Sequence, residues 1–156
     1  MRIDLSLWDS AIAALVNQAH NALASGNNPT PMGSAHPNLV PYRAFEAKDG
    51  WFVIGVGSDN QWLTLVEALK IENQEAWATN EGRVLGREEV EACVSKAVAM
   101  LERAELEQKL TGVPCAPVNT VLEALSDPQS VARQAVTQHK GVDVLASPLR
   151  FMKPSK

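Results

Sequence analysis

A chain of 156 residues can bury the core of one domain, and 46% hydrophobic content marks it as globular. A formal charge of -4 and a pI near 5.4, with no local run of lysine or arginine, leave no field attracting nucleic acid or an anionic membrane. Cys93 and Cys115 are too few and too far apart for a zinc knuckle or a CxxC redox pair, and suit reduced thiols in a cytoplasm.

At the N-terminus Arg2 precedes an apolar stretch, but Asp4 and Asp9 interrupt it, which argues against an export signal. No window has the apolar length that spans a bilayer, so a soluble cytoplasmic protein is expected. Ile3, Leu5 and Leu7 alternate as in a strand end, while Trp8, Ile12, Leu15, Ala19 and Leu23 fall on one helical face. The spacing predicts a short strand feeding a helix of about five turns. Ser6 with Asp9 resembles a capping box, and Gly26 is the expected stop.

From Gly26 to Pro41 the composition changes to "GNNPTPMGSAHPNLVP", whose four prolines exclude a continuous helix or central strand. "YRAFEA" and "WFVIGV" flank "KDG" and read as a hairpin with its glycine in the turn. Ser58 and Gln61 form a capping-box pattern ahead of Trp62, Leu65, Val66 and Leu69 on one face of a helix. The stretch "VIGVGSDNQW" is therefore a strand-to-helix turn. It fails the dinucleotide fingerprint, since Asn60 stands where the third glycine belongs and Asp59 puts a negative charge where a phosphate would sit.

Val90, Cys93, Val94, Ala97 and Leu101 mark a further helix, followed by one from about Ala104 to Leu110 that Gly112 ends. "VPCAPV" is held extended by its prolines. "NTVLEALS" and "DPQSVARQAV" read as two helices, the second opened by Asp127 as cap and Pro128 at its first position. The tail predicts a hairpin around Lys140 and Gly141 and then an extended strand. The residues alone thus define an α+β protein.

Chemistry-bearing side chains are sparse. His20, His36 and His139 have no ligand-type neighbour at metal spacing, so no metal site is expected. His20 reads as a hydrogen-bonded packing residue, and His139 as solvated beside its turn. His36, with Asn38 in the same proline-bounded segment, reads as ordering that loop. Cys115 has no base nearby and reads as a small buried hydrophobe. Glu88, Glu89 and Glu91 read as a solvated helix face.

Five stretches, in order and through nearly the whole chain, resemble one family: "IDLSLWDSAIAAL", "MGSAHPNLVPYRAFEAKDGWFVIGVGSDNQW", "TNEGRVLGREEV", "GVPCAPVNTVLEALSDPQSVAR" and "SPLRF". That family is the class III CoA-transferases, also called CaiB/BaiF or formyl-CoA transferase-like. The resemblance implies a large Rossmann-like α/β domain that binds CoA, a smaller α+β domain inserted late in the chain, and two subunits interlocked like linked rings. Residues 1 to 26 then resemble the end of the large domain's first part, and 27 to 41 a linker. Residues 42 to 112 resemble the small α+β domain, and 113 to 156 the return toward an incomplete large domain.

Members of the family move CoA between carboxylic acids through an aspartate that passes through anhydride and aspartyl-CoA intermediates, while a racemase branch exchanges an α-proton. The resemblance implies no cofactor, with coenzyme A as substrate and product, and an acyl-CoA as small-molecule partner. It places the nucleophilic aspartate upstream of the motif with which this sequence begins, so neither Asp4 nor Asp9 is that residue. This chain is expected not to transfer CoA alone and to need the N-terminal half or a homodimer. In the formyl-CoA transferase branch the loop over the active site reads as four glycines and glutamine. The matching positions here are Gly57, Ser58, Asp59, Asn60 and Gln61. Losing three glycines implies a more fixed loop facing the thioester. Asp59 is a candidate for the carboxylate of racemase-like relatives, with interaction at a helix N-terminus as its other role. The rival readings are a non-enzymatic fragment for self-association or docking and, third, an independent nucleotide-binding module.

Overall fold

The computed structural model describes residues 3–149. They fall into two compact units, one ending at Pro37 and one beginning at Asn38. The first contains α1 (Leu7–Ala13) and α2 (Val16–Ser25). Ser6 caps α1, its Oγ accepting from the Asp9 amide at 3.4 Å, so residues 3–6 lead into a helix and form no strand. The single five-turn helix is also corrected. The chain breaks at Ala14 and Leu15, and Val16 has a φ of 45° that opposes a continuous helix in a β-branched residue. Neither proline nor glycine marks that break in the sequence. Gly26 ends α2 in the left-handed conformation, as its position predicts.

The second unit is built on a hairpin of β1 (Tyr42–Ala47) and β2 (Gly50–Gly55), with Phe45 directly opposite Phe52. Gly50, at φ 143°, occupies a backbone region that side chains rarely adopt. β3 (Cys115–Pro117), from the proline-bounded stretch expected to be extended, adds antiparallel to β2. The sheet order is β1-β2-β3. Phe45, Phe52 and Ile54 are buried from the sheet. Against them in one hydrophobic cluster lie Trp62, Leu65, Val66 and Leu69 of α3 (Asp59–Leu69). Val90, Val94 and Val98 of α5 (Arg87–Val98) and Leu106 of α6 (Arg103–Lys109) join the same cluster. The apolar periodicity named the buried face of α3 residue for residue.

Between α3 and α5 stand a 3-10 turn (Glu75–Trp77) and α4 (Asn80–Leu85), which glycine-rich "TNEGRVLG" does not advertise as a helix. Thr79 caps α4 by accepting from the Gly82 amide at 3.2 Å. Gly82 is required by close approach, since a Cβ there would collide with the Ala76 carbonyl oxygen. Glu91, expected on a solvated face, is instead buried, with Arg43 at 2.8 Å and Arg87 at 3.1 Å sharing its two oxygens. Sequence periodicity marks where a charge falls on its helix, but not whether a strand arginine reaches across to it.

Further along, α7 (Val121–Ser126) opens with a complete Thr120/Glu123 capping box, and α8 (Pro128–Ala132) with Asp127 and Pro128 as expected. β4 (Val136–His139) and β5 (Val142–Leu145) form the hairpin around Lys140 and Gly141. The final strand and the Arg150–Phe151 part of "SPLRF" lie outside the described residues. Among those described, no helix is long and apolar enough to cross a membrane. The fold is α+β.

Arg103 links three of these segments. Its amide and Nε donate to Asp49 in the hairpin turn at 2.8 and 3.4 Å, Nη1 to the Val118 carbonyl at 3.3 Å, and Nη2 to Glu123 at 3.2 Å. The Asp49 carboxyl is held below its ordinary value chiefly by the Arg103 amide, and Glu123 chiefly by the Thr120 amide, with Arg103 adding to both. A depressed carboxylate pKa stabilises the fold above the unfolded value, and that contribution is lost as the pH falls through the folded value.

Two outcomes are expected. Below about pH 4, the urea midpoint of the chain falls more steeply than that of an Asp49→Asn/Glu123→Gln double variant; parallel curves would deny the cluster any role. Gly82→Ala destabilises by about 2–3 kcal/mol in the same assay, while an unchanged midpoint would mean that the Ala76 carbonyl yields freely.

Candidate functional site

The turn from β2 into α3 is fixed at both ends by its own backbone needs. Val56, buried at the end of the strand, donates its amide to the Pro41 carbonyl at 2.9 Å. Ser58 is the N-cap, its Oγ accepting from the Gln61 amide at 3.3 Å. Gln61 reaches back one residue beyond the usual box, its Oε1 accepting from the Gly57 amide at 2.8 Å. Gly57, Ser58, Asp59 and Asn60 are exposed and Gln61 is half-buried. The candidate residues therefore form one contiguous surface patch.

Beneath that patch lies Arg83 of α4, which sequence reasoning missed. Its side chain is fully buried. Nη2 donates to Asp59 Oδ1, Nε to the Val40 carbonyl and Nη1 to the Trp77 carbonyl, each at 2.8 Å. The guanidinium also lies 5.3 Å from the centre of the Trp62 ring. Burying an unpaired cation costs several kcal/mol or more, whereas a charge-assisted bond to a carboxylate and two to carbonyls offset that cost. Asp59 thus supplies the counter-charge for a buried arginine. It keeps Oδ1 on Arg83 while its side chain stays 53% exposed, so the same carboxylate is structural on one side and accessible on the other.

Asn80, one turn before Arg83, clamps the same incoming segment. Its Oδ1 accepts from the Val40 amide at 3.2 Å and its Nδ2 donates to the Asn38 carbonyl at 2.8 Å. Asn38 is therefore held against α4 through its backbone. His36 belongs to the first unit, where Asn17 Nδ2 donates to its Nε2 at 3.1 Å. The three-residue spacing of Asn80 and Arg83 was the available signal, since it places both on one face of a short helix. The glycines at 82 and 86 obscured it.

The other reactive side chains lie elsewhere. His20 Nδ1 donates to the Val16 carbonyl at 3.0 Å, within its own helix. His139 is exposed on β4. Cys115 is half-buried in β3 and packs against the hydrophobic cluster. Burial, and then the charge of Glu107, push its thiol upward, which disfavours the nucleophilic thiolate. Among the described residues no group of three or more His, Cys, Asp or Glu is arranged to hold a metal ion.

A mixed helix-and-sheet body with a capped, polar strand-to-helix turn can now be set beside known proteins. The profile of CoA-transferase family III matches residues 1–155. The chain is 32% identical to the succinate–glutarate CoA-transferase of Agrobacterium fabrum, over 98% of this chain and 42% of that protein. It is 29% identical to the human succinyl-CoA:glutarate CoA-transferase, over 99% of this chain and 37% of that protein. A crystal structure of a CaiB/BaiF family protein from Brucella suis shares 38% identity and superposes with a TM-score of 0.78, over 97% of this chain and 41% of that one. The chain belongs to CoA-transferase family III. It spans about two fifths of the length of these relatives.

The cap geometry carries its own test. Ser58→Ala is expected to cost about 1 kcal/mol in urea unfolding of the chain. A loss near zero would mean that the Arg83 contacts hold the turn without its cap.

Proposed function

We propose that this chain carries the small-domain part of an acyl-CoA:carboxylate CoA-transferase, with the turn from Gly57 to Gln61 facing the thioester. The observation that carries the reading is the family match through residues 1–155. The reaction draws on residues outside these 156, including the nucleophilic aspartate, and the 156 residues alone do not turn over. Coverage of only 37 to 42% of the relatives supports that division. The relatives' own substrates point to succinyl-CoA and a second short dicarboxylate such as glutarate.

In the transfer, the nucleophilic carboxylate attacks the thioester carbonyl carbon, the carbon–sulfur bond breaks and CoA leaves as its thiolate. An acyl anhydride results, and the thiolate then attacks the aspartyl carbonyl to give aspartyl-CoA and the free acid. Repeating the steps in reverse with the second acid loads the new acyl group. Each attack puts negative charge on a carbonyl oxygen, which preorganised donors stabilise. The hydrogen bond from the Gly57 amide to Gln61 Oε1 fixes the carboxamide, leaving its NH2 group as the donor the turn presents. Asp59, with Oδ1 committed to Arg83, positions the turn rather than moving protons.

A second surface belongs to the same assembly. Leu7 and Trp8 are 91% and 74% exposed, which supports burial of the first unit's apolar residues by the rest of the protein or by a second subunit of a homodimer.

The test is succinyl-CoA:glutarate transfer by the whole protein that contains these residues. Gln61→Ala is expected to lower kcat by roughly 10- to 100-fold. Wild-type turnover in both Gln61→Ala and Asp59→Ala would remove the turn from the site, and absence of transfer with every acyl-CoA offered would reject the activity.

A further inference from the structure

Besides its own cap bonds, the 57–61 turn is tied through Asp59 to one group that no solvent reaches, the Arg83 guanidinium. Arg83 contacts Asp59, Val40, Trp77 and Trp62 together, four points contributed by three separate segments. Those segments are the turn with the first turn of α3 that continues it, the strap entering β1 and the 3-10 turn. Trp62 is held in place independently, its Nε1 donating to Asn73 Oδ1 at 3.0 Å and its ring meeting that of Trp77 edge-on at 6.1 Å. The guanidinium is therefore anchored to the Val40 and Trp77 carbonyls and the Trp62 ring independently of the turn.

We propose that Arg83 is a positioning residue of the CoA-transferase site: through Asp59 it locks the Gly57–Gln61 turn in one register, so that the Gln61 carboxamide is aimed before substrate arrives. The proposal rests on the reading of that turn as facing the thioester. It differs from an ordinary buried ion pair in one respect. The cation is wholly buried while its carboxylate is half exposed, so the turn is the arm of the node that borders solvent. Lysine cannot replace Arg83, because one ammonium cannot span Asp59, Val40 and Trp77 in the planar fork that guanidinium provides. The turn is thereby a fixed wall of the site and not a lid.

The experiment uses the whole protein and reads amide hydrogen exchange together with kcat and KM for succinyl-CoA. Asp59→Asn and Asp59→Ala are expected to raise exchange across residues 57–61 about tenfold more than at the Phe45 and Phe52 amides, whose smaller loss reports the global cost of an unpaired Arg83. The same variants lower kcat about 10- to 100-fold with KM unchanged, because the aim of a donor is lost rather than substrate binding. Arg83→Lys, which also forfeits bonds to the Val40 and Trp77 carbonyls, gives the same rise at 57–61 with additional exchange around those two residues, and adding Asp59→Ala to it raises exchange at 57–61 no further.

A control separates the ion pair from helix-end charge. Asp59→Asn/Asn60→Asp returns a carboxylate to the start of α3 at a position that Arg83 does not contact, and is expected not to restore protection. Restoration in that variant, or unchanged exchange at 57–61 in the Asp59 variants, overturns the proposal. If exchange rises while Asp59→Ala and Gln61→Ala both keep wild-type turnover, the lock stands and the thioester-facing reading of the turn falls.

Discussion

The buried charge of Arg83 organises the region where the candidate residues lie. A guanidinium without solvent must find acceptors for its N–H groups, and in this chain they come from segments far apart in sequence: Val40, Asp59 and Trp77. Satisfying one cation therefore brings the strap before β1, the turn after β2 and the 3-10 turn before α4 to a common point. Hydrophobic burial of Trp62 and Trp77 supplies the larger share of the driving force, but it is non-directional. The arginine adds direction, because its donors leave in a fixed plane and accept only one arrangement of those three segments.

Two other arginine nodes repeat the device with different consequences. Glu91 sits between Arg43 and Arg87 and joins β1 to α5. Arg103 joins the β1-β2 turn to the end of β3 and the start of α7. In the Glu91 node the carboxylate is buried and its two arginines are only partly exposed. The Arg103 node is solvent-exposed at its carboxylates, so salt and acid reach it. A small three-stranded sheet has little area with which to fix its connections. Directional polar contacts at its ends set the register that the apolar cluster leaves open.

Much of this was legible in the amino-acid sequence because it depends on local rules. The hairpin at Asp49 and Gly50, the Ser58 cap, the buried face of α3 and the Pro128 start of α8 all follow from turn, cap and period chemistry within a few residues. What failed was non-local or lay against propensity. Helix α4 carries Gly82 and Gly86, yet it forms because Asn80 and Arg83 bind partners about forty residues earlier. The alternation of Ile3, Leu5 and Leu7 suggested a strand, but strand formation needs a partner and the Ser6 cap needs only its own next turn. Of the candidate residues, the turn was found as a turn; the reason it is held was not. From sequence Asp59 reads as a helix-end charge or a reactive carboxylate, and its ion pair is invisible there because no spacing rule connects residues 59 and 83.

Under the proposed function, the same geometry bears on why a glutamine can serve where the turn has few glycines. Gly57 lacks a positive φ, and a Cβ there would meet Gln61 Oε1 at 3.5 Å, an ordinary contact. Its backbone therefore does not itself demand glycine. What the turn uses at Gly57 is the amide, which holds Gln61 Oε1 and leaves the carboxamide NH2 as a further donor. A mobile loop would have to order such a donor in each catalytic cycle, losing conformational entropy each time. A turn anchored through Asp59 to a caged arginine has lost that freedom already during folding. For acyl transfer, where charge develops on a carbonyl oxygen and reorganisation at that moment is costly, a preorganised donor is the more effective arrangement.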